Sequence, residues 1–371
     1  MGEWNGVDLS DVTLRGPRLT LRPFLACDVP AVYAAMQHAV MHEFLPLPDP
    51  YTQADAADFV LGFAQAGRTD GTAIECAVLE SASGALVGTA GLRLPGRRAT
   101  SAEIGYAIYP HGQGNGYAAE ATRVLTAWAF EHRVARVAIR AAVRNLASIK
   151  SALNAGFHFE GVARADVLTP VGAADGAVLG RLPDDPDEPV RPTFAPLPPG
   201  GLRDGVLTLR LARPEDTAAM LAASRDPEVV RWTFTGRPMT QAEATAEAAH
   251  AELDWLVGRR GVLVMVDAAS GSVAGTLVLR LVGPPGVGGV GYSVHPDCRG
   301  RGYTARALRL LRAWALTDGG LKRLELGAST DNIASQRAAR PGGFVDDGVR
   351  VGRLRNPDGS FSDEMRFAAL S

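Results

Sequence analysis

The chain is internally duplicated, and each copy carries a glycine-rich turn from a strand onto a helix. In the first copy Ile104-Gly105-Tyr106-Ala107-Ile108 runs into Pro110-His111-Gly112-Gln113-Gly114-Asn115-Gly116-Tyr117. In the second, Val290-Gly291-Tyr292-Ser293-Val294 runs into Pro296-Asp297-Cys298-Arg299-Gly300-Arg301-Gly302-Tyr303. Gly105 precedes Gly291 by 186 residues, and the same offset relates Tyr106 to Tyr292, Gly116 to Gly302 and Trp128 to Trp314. Leu19-Thr20-Leu21-Arg22 recurs 188 residues later as Leu207-Thr208-Leu209-Arg210, and Asn145, Ser148 and Gly156-Phe157 recur 187 residues later as Asn332, Ser335 and Gly343-Phe344. A slowly drifting offset means a few loop insertions between two domains with the same order of elements.

A strand that delivers such a turn onto a helix N-terminus is suited to phosphate. The glycines let backbone N–H groups approach the anion, and the helix dipole favours negative charge there. Two copies point to a phosphate-bearing ligand.

Length and composition agree with two domains. The chain of 371 residues is long for one core. Its net charge of −2 gives no basic field for nucleic acid or anionic lipid. No apolar run approaches the roughly 20 residues of a membrane span. The opening Met1-Gly2-Glu3-Trp4-Asn5-Gly6 lacks the basic region and apolar core of a secretory signal. Cys27, Cys76 and Cys298 are odd in number and widely spaced, so neither a disulfide framework nor a metal site is indicated, and a cytoplasmic location is expected. Residues 183–200 contain seven prolines, which bar helix and ladder pairing. They are expected to be a stiff, extended linker between domains at 1–182 and 201–371.

Each half reads β-α-α-β-β-β-α-β-α-β-β, a mixed α/β sheet. In the first half strands are expected near 18–24, 73–80, 85–94, 102–109 and 134–142, with a closing hairpin at 158–169 and 176–182. Helices are expected from Asp28 as N-cap, from Thr52, over 116–131 and from Asn145 to Ala155. Thr52 with Asp55 and Thr240 with Glu243 form capping-box patterns. The last hairpin should turn at Asn356-Pro357-Asp358-Gly359. Trp128 and Trp314 read as core; His111 and His295 read as surface residues beside the turns.

The turns also satisfy a loose dinucleotide pattern, Gly114-x-Gly116-x-x-Ala119 and Gly300-x-Gly302-x-x-Ala305. That reading is disfavoured. Gln113 and Arg299 are polar where a dinucleotide-binding strand would still be apolar, and the turn follows three antiparallel-type strands rather than opening a βαβ unit.

With both copies in view, the chain resembles the GNAT superfamily of acyl-CoA-dependent N-acyltransferases, most of all the branch of ribosomal-protein alanine N-acetyltransferases. The signature Gln/Arg-x-x-Gly-x-Gly/Ala stands as Gln113, Gly114, Asn115, Gly116, Tyr117, Ala118 and again as Arg299, Gly300, Arg301, Gly302, Tyr303, Thr304, where Thr304 departs from the pattern. The resemblance implies two tandem domains, each a mixed, mostly antiparallel sheet flanked by helices, and a monomer with pseudo-twofold tandem domains. It implies acetyl-CoA or another short-chain acyl-CoA as donor and a primary amine as acceptor. Turn N–H groups would take the pyrophosphate, backbone near Ile108 or Val294 would hold the pantetheine, and Asn145, Ser148, Asn332 and Ser335 would contact the cofactor. Glu103 matches a carboxylate that serves as general base in related enzymes.

The halves differ. Gly289 replaces Glu103 in the second, and Ala152 and Ala339 stand where many relatives place a tyrosine acid. Pro341 should shorten the helix that follows Asn332. The first half is therefore the expected catalyst. The alternative is a non-catalytic acyl-CoA-binding protein that serves regulation or interaction.

Overall fold

Apolar, β-branched-rich runs bounded by turns build two eight-stranded sheets, one in each half. The computed structural model describes residues 3–4, 7–94, 100–233, 235–356 and 358–371. Met1, Gly2, Asn5 and Gly6 of the opening segment and Pro357 of the last turn lie outside the described residues. A two-stranded ribbon, β1 (Glu3–Trp4) and β2 (Val7–Asp8), precedes the first sheet. That sheet comprises β3 (Leu14–Arg15), β4 (Leu19–Arg22), β5 (Ala73–Glu80), β6 (Leu86–Arg93), β7 (Ser101–Ile108), β8 (Arg136–Ala142), β9 (His158–Thr169) and β10 (Gly172–Arg181), in the order β3-β4-β5-β6-β7-β8-β10-β9. The second comprises β11 (Leu202–Arg203), β12 (Leu207–Leu211), β13 (Gly261–Asp267), β14 (Val273–Val282), β15 (Val287–Val294), β16 (Arg323–Ser329), β17 (Val345–Arg355) and β18 (Phe361–Leu370), in the equivalent order.

All sheet pairings are antiparallel except β7 with β8 and β15 with β16. Each parallel pair is joined by a crossover helix, Tyr117–Glu131 or Tyr303–Ala315, as parallel strands require. The crossover helices bury Leu125 and Trp128, or Leu311 and Trp314, against the sheet. The opposite face of the first sheet packs on the helices at Val29–Met36 and 53–70, where Val32, Ala56 and Val60 are fully buried.

Asp28 differs from its expected role. It stands before the helix Val29–Met36 but does not cap it. Its carboxylate accepts from the Leu25 N–H at 2.8 Å and from both terminal nitrogens of Arg22 at 2.7 and 2.9 Å. Asp216 does the same with Arg213 and Arg210 in the second half. An aspartate here ties the first long strand to the following helix by charge-assisted bonds. Both capping boxes form as expected. Pro341 leaves the helix Ile333–Ala339 shorter than its counterpart Leu146–Asn154.

The chain divides into two compact units, Met1–Arg191 and Pro192–Ser371. Residues 183–200 form neither helix nor strand, yet they are not a free spacer. The Val190 N–H donates to the Leu153 carbonyl within the first unit. Phe194 is buried in the second, its ring stacked on Trp255 with centroids 4.7 Å apart. Proline prevents ladder pairing but not apolar packing, and Val190 and Phe194 supply the apolar surface. Among the described residues, no helix is long and apolar enough to cross a membrane.

Candidate functional site

The parallel pairing of β7 with β8 stops at Glu103 opposite Ala138, and that of β15 with β16 stops at Val290 opposite Leu326. Beyond those points β7 remains paired to β6 as far as Ile108, and β15 to β14 as far as Val294. One edge of each strand is thus open exactly where the chain enters its glycine turn, because the neighbouring strand has splayed away. Backbone donors and acceptors on such an edge are available to an extended ligand.

A tyrosine bridges each gap. The Tyr106 hydroxyl donates to the Ser148 carbonyl at 2.8 Å and accepts from the Ser148 hydroxyl at 3.0 Å. Tyr292 bonds Ser335 in the same way, at 3.1 and 2.8 Å. Burial pushes the Tyr106 phenol up to about 12, so it stays neutral. Asn145 and Asn332 cap their helices by accepting from the Ser148 and Ser335 N–H groups, each at 3.0 Å. The Asn-x-x-Ser motif therefore fastens a helix to the open strand. Ser148 and Ser335 are committed to that brace, whereas the amide nitrogens of Asn145 and Asn332 make no bond to a described residue.

The turns have the expected backbone. Gly114 and Gly116 have φ of +80° and +75°, and Gly300 and Gly302 have +74° and +75°. Gly116 and Gly302 are the N-cap residues of the crossover helices. The N–H groups from Gly114 to Ala119, and from Gly300 to Ala305, form no hydrogen bond with any described residue. The first backbone bonds after each turn are made by Glu120 and Arg306. A run of unsatisfied donors at a helix N-terminus is an anion site. Space permits one: a Cβ built on Gly114, Gly300 or Gly302 would meet nothing within 4 Å.

The turn side chains do other work. Gln113 donates back to the Ile108 carbonyl at 3.0 Å, so that oxygen is occupied. Asn115 folds its amide onto the Gly112 and Gln113 carbonyls. Arg299 instead pairs with Asp226. The hydroxyls of Tyr117 and Tyr303 bond Glu80 and Asp267, and the bond from Tyr303 helps hold the Asp267 carboxyl down at about 2. Of Tyr117, Ala118, Tyr303 and Thr304, the backbone N–H groups remain free. Arg18 pairs with buried Glu120 at 2.8 Å and also donates to the Asn115 carbonyl. In the second unit this pair has exchanged its charges: Arg306, the counterpart of Glu120, pairs with Asp204 at 2.7 Å.

Glu103 lies on β7 with its side chain 44% exposed, 3.9 Å from Arg140. Sequence reasoning missed a second carboxylate. Glu75 on β5 lines a cavity of about 230 Å³ together with Thr89 of β6 and Gly105, Tyr106 and Ala107 of β7. The remaining wall is Met36, Leu45, Leu47, Tyr51 and Phe59. Phe59 sits in a π-helical segment, Asp58–Phe63, within the second helical region. Thr89 donates to Glu75 Oε1 at 2.6 Å. Desolvation pushes the Glu75 carboxyl up to about 7, against the opposing pull of Thr89, Arg68 and Arg93. A lone acidic residue in the apolar run Ala73-Ile74-Glu75-Cys76-Ala77-Val78 was the available signal.

These features coincide with a family. The chain belongs to the acetyltransferase (GNAT) domain family, whose model matches residues 18–158 and again 206–345. Its class is acetyltransferase, a class that supports acyl transfer from acetyl-CoA. Among similar solved structures is a GNAT acetyltransferase from Bacillus anthracis, at 15% identity and TM-score 0.40, covering 48% of this chain and 98% of that one. Mycobacterium smegmatis RimJ in complex with CoA-disulfide has 19% identity and TM-score 0.42, covering 47% and 87%. The ribosomal-protein-S5-alanine acetyltransferase of Vibrio fischeri has 21% identity and TM-score 0.39, covering 45% and 94%. The sequence has no significant match among curated proteins.

Proposed function

We propose that the first unit transfers a short acyl group, acetyl foremost, from acyl-CoA to a primary amine of a small molecule or a peptide N-terminus by direct attack on the thioester. The observation that carries this reading is the open edge of β7 running into unbonded N–H groups at a helix N-terminus. The residues fit the donor. N–H groups from Gly114 to Ala119 would hold the pyrophosphate, the β7 edge up to Ile108 the pantetheine, and the Asn145 amide a further polar group. When bound, acyl-CoA supplies an activated carbonyl and a good leaving thiolate.

Most alkylamines are protonated at neutral pH, so removing a proton favours attack. The first unit offers Glu103 and Glu75; the second has Gly289 and Val262 at the corresponding positions. The second unit keeps the open strand and the free turn donors, which favours a non-catalytic acyl-CoA-binding role for it. Three unpaired cysteines suit a reducing compartment such as the cytoplasm.

Gly116→Val tests the donor site. A β-branched residue is strained at φ +75° and places methyl groups where the anion would approach. Calorimetry should show at least a tenfold loss of acetyl-CoA affinity in the first unit of a folded variant. Unchanged affinity and stoichiometry would remove the basis for the assignment.

A further inference from the structure

The face of the first sheet that looks onto the helices at Val29–Met36 and 53–70 carries one row of residues with an unusual composition. Glu75, Gly91 and Gly105 lie directly opposite one another on β5, β6 and β7. A Cβ on Gly91 would stand 1.9 Å from Glu75 Oε2, so the carboxylate lies across Gly91, in the direction of β7. A Cβ on Gly105 would meet nothing within 4 Å. The two glycines leave a path from the carboxylate to the strand whose other edge is open. Thr89 steadies the carboxylate from β6.

The second unit keeps only the last step of this path, Gly291 in the place of Gly105. Its row is Val262, Val278 and Gly291. Val262 is fully buried in an apolar cluster with Met220, Ala248, Ala251 and Val264. The threonine equivalent to Thr89, Thr276, bonds Ser293 at 2.9 Å instead. Carboxylate, accommodating glycine and threonine bond are present together in one unit and absent together in the other.

We infer that Glu75 is the general base of the first unit and that the cavity beside it receives a primary amine borne on a compact apolar body. This rests on the acyl-transfer reading above. The ammonium group of the acceptor meets Glu75, the only carboxylate among the described residues that line the cavity. Its apolar body lies against Met36, Leu45, Leu47 and Phe59. A second cation on the acceptor would be desolvated without a partner. Glu75 takes one proton from the ammonium and passes it to solvent. The freed nitrogen lone pair forms the C–N bond as the C–S bond breaks, and the departing thiolate takes the second nitrogen proton. Among the charged and titratable groups around Glu75, Arg68 and Arg93 draw its pKa down; the Cys76 thiol, pushed up to about 12 by burial, and the Tyr109 phenol, raised by burial, stay neutral. With its own carboxyl near 7, Glu75 gains its basic form across the neutral range.

The test compares wild type, Glu75→Gln and Glu103→Gln in the full chain, using acetyl-CoA with 2-phenylethylamine, isopentylamine or spermidine. Wild type should favour the two apolar amines over spermidine by about tenfold or more in kcat/KM. Its kcat/KM should rise with pH through a limb near 7. Glu75→Gln should lose about 10²–10⁴-fold in kcat, recover as pH rises, and lose that limb, while acetyl-CoA affinity by calorimetry stays within about twofold. A fully active Glu75→Gln, or loss confined to Glu103→Gln, would overturn the assignment of the base. Turnover of spermidine alone, or of none of the three amines, would overturn the acceptor class. Acetyl-CoA binding by wild type decides separately whether the donor reading survives.

Discussion

At the scale of single residues, Glu75 links stability to pH. Its carboxyl titrates near 7 in the folded chain against 4.5 ordinarily. Between those values the folded state holds a proton that the unfolded state has released, so folding stability falls as pH rises. Stability from this group is complete below about pH 4.5 and lost once pH passes about 7. The difference is on the order of 3 kcal/mol. Glu75→Gln should therefore match wild type in urea unfolding at pH 4 and exceed it at pH 8. Equal stability at both pH values would show that the carboxyl is not desolvated. Gly91 is the complementary residue. Gly91→Ala should push the carboxylate aside and lower kcat at least tenfold, with acetyl-CoA affinity retained. If kcat is unchanged, the carboxylate does not need its position over Gly91.

At the scale of elements, the same tyrosine brace recurs in both units. Tyr106 spans from β7 to the helix Leu146–Asn154 where the strands have parted. Tyr106→Phe removes both bonds to Ser148 and should cost about 1–3 kcal/mol of stability in urea unfolding. It should also raise the KM for acetyl-CoA, because the helix that carries Asn145 is no longer fastened to the open edge. A stability loss without change in KM would confine the brace to folding. The exchanged pairs Arg18–Glu120 and Arg306–Asp204 belong to this scale as well. An ion pair at the start of the crossover helix serves with either polarity, so residue-by-residue comparison of the repeats does not reveal the shared contact.

At the scale of the whole molecule, two units share an open strand and unbonded turn N–H groups and differ on the face of the sheet that carries Glu75 or Val262. Titration of wild type with acetyl-CoA should therefore reveal a binding event in each unit, and Gly302→Val should abolish the one in the second. A wild-type titration that shows binding only in the first unit would mean that the free N–H groups from Gly300 to Ala305 serve another anion or none.

The sequence by itself determined the duplication, the order of elements along the chain and the turns. Short apolar runs bounded by turn residues mark β5, β6 and β7 to within a residue or so, and positive φ at Gly114, Gly116, Gly300 and Gly302 is what those glycines are for. These are local properties, written in residue spacing. Only tertiary structure decided which carboxylate shares a cavity with the open strand. Glu103 is near that strand in sequence but turns to Arg140 at the sheet's surface. Glu75 is thirty residues from Gly105 and lines the same cavity only because β6 lies between their strands with a glycine in register. The packing of residues 183–200 was hidden for the same reason: proline content forecasts the absence of ladders, whereas the backbone bond of Val190 and the burial of Phe194 depend on surfaces that exist only after each sheet has folded.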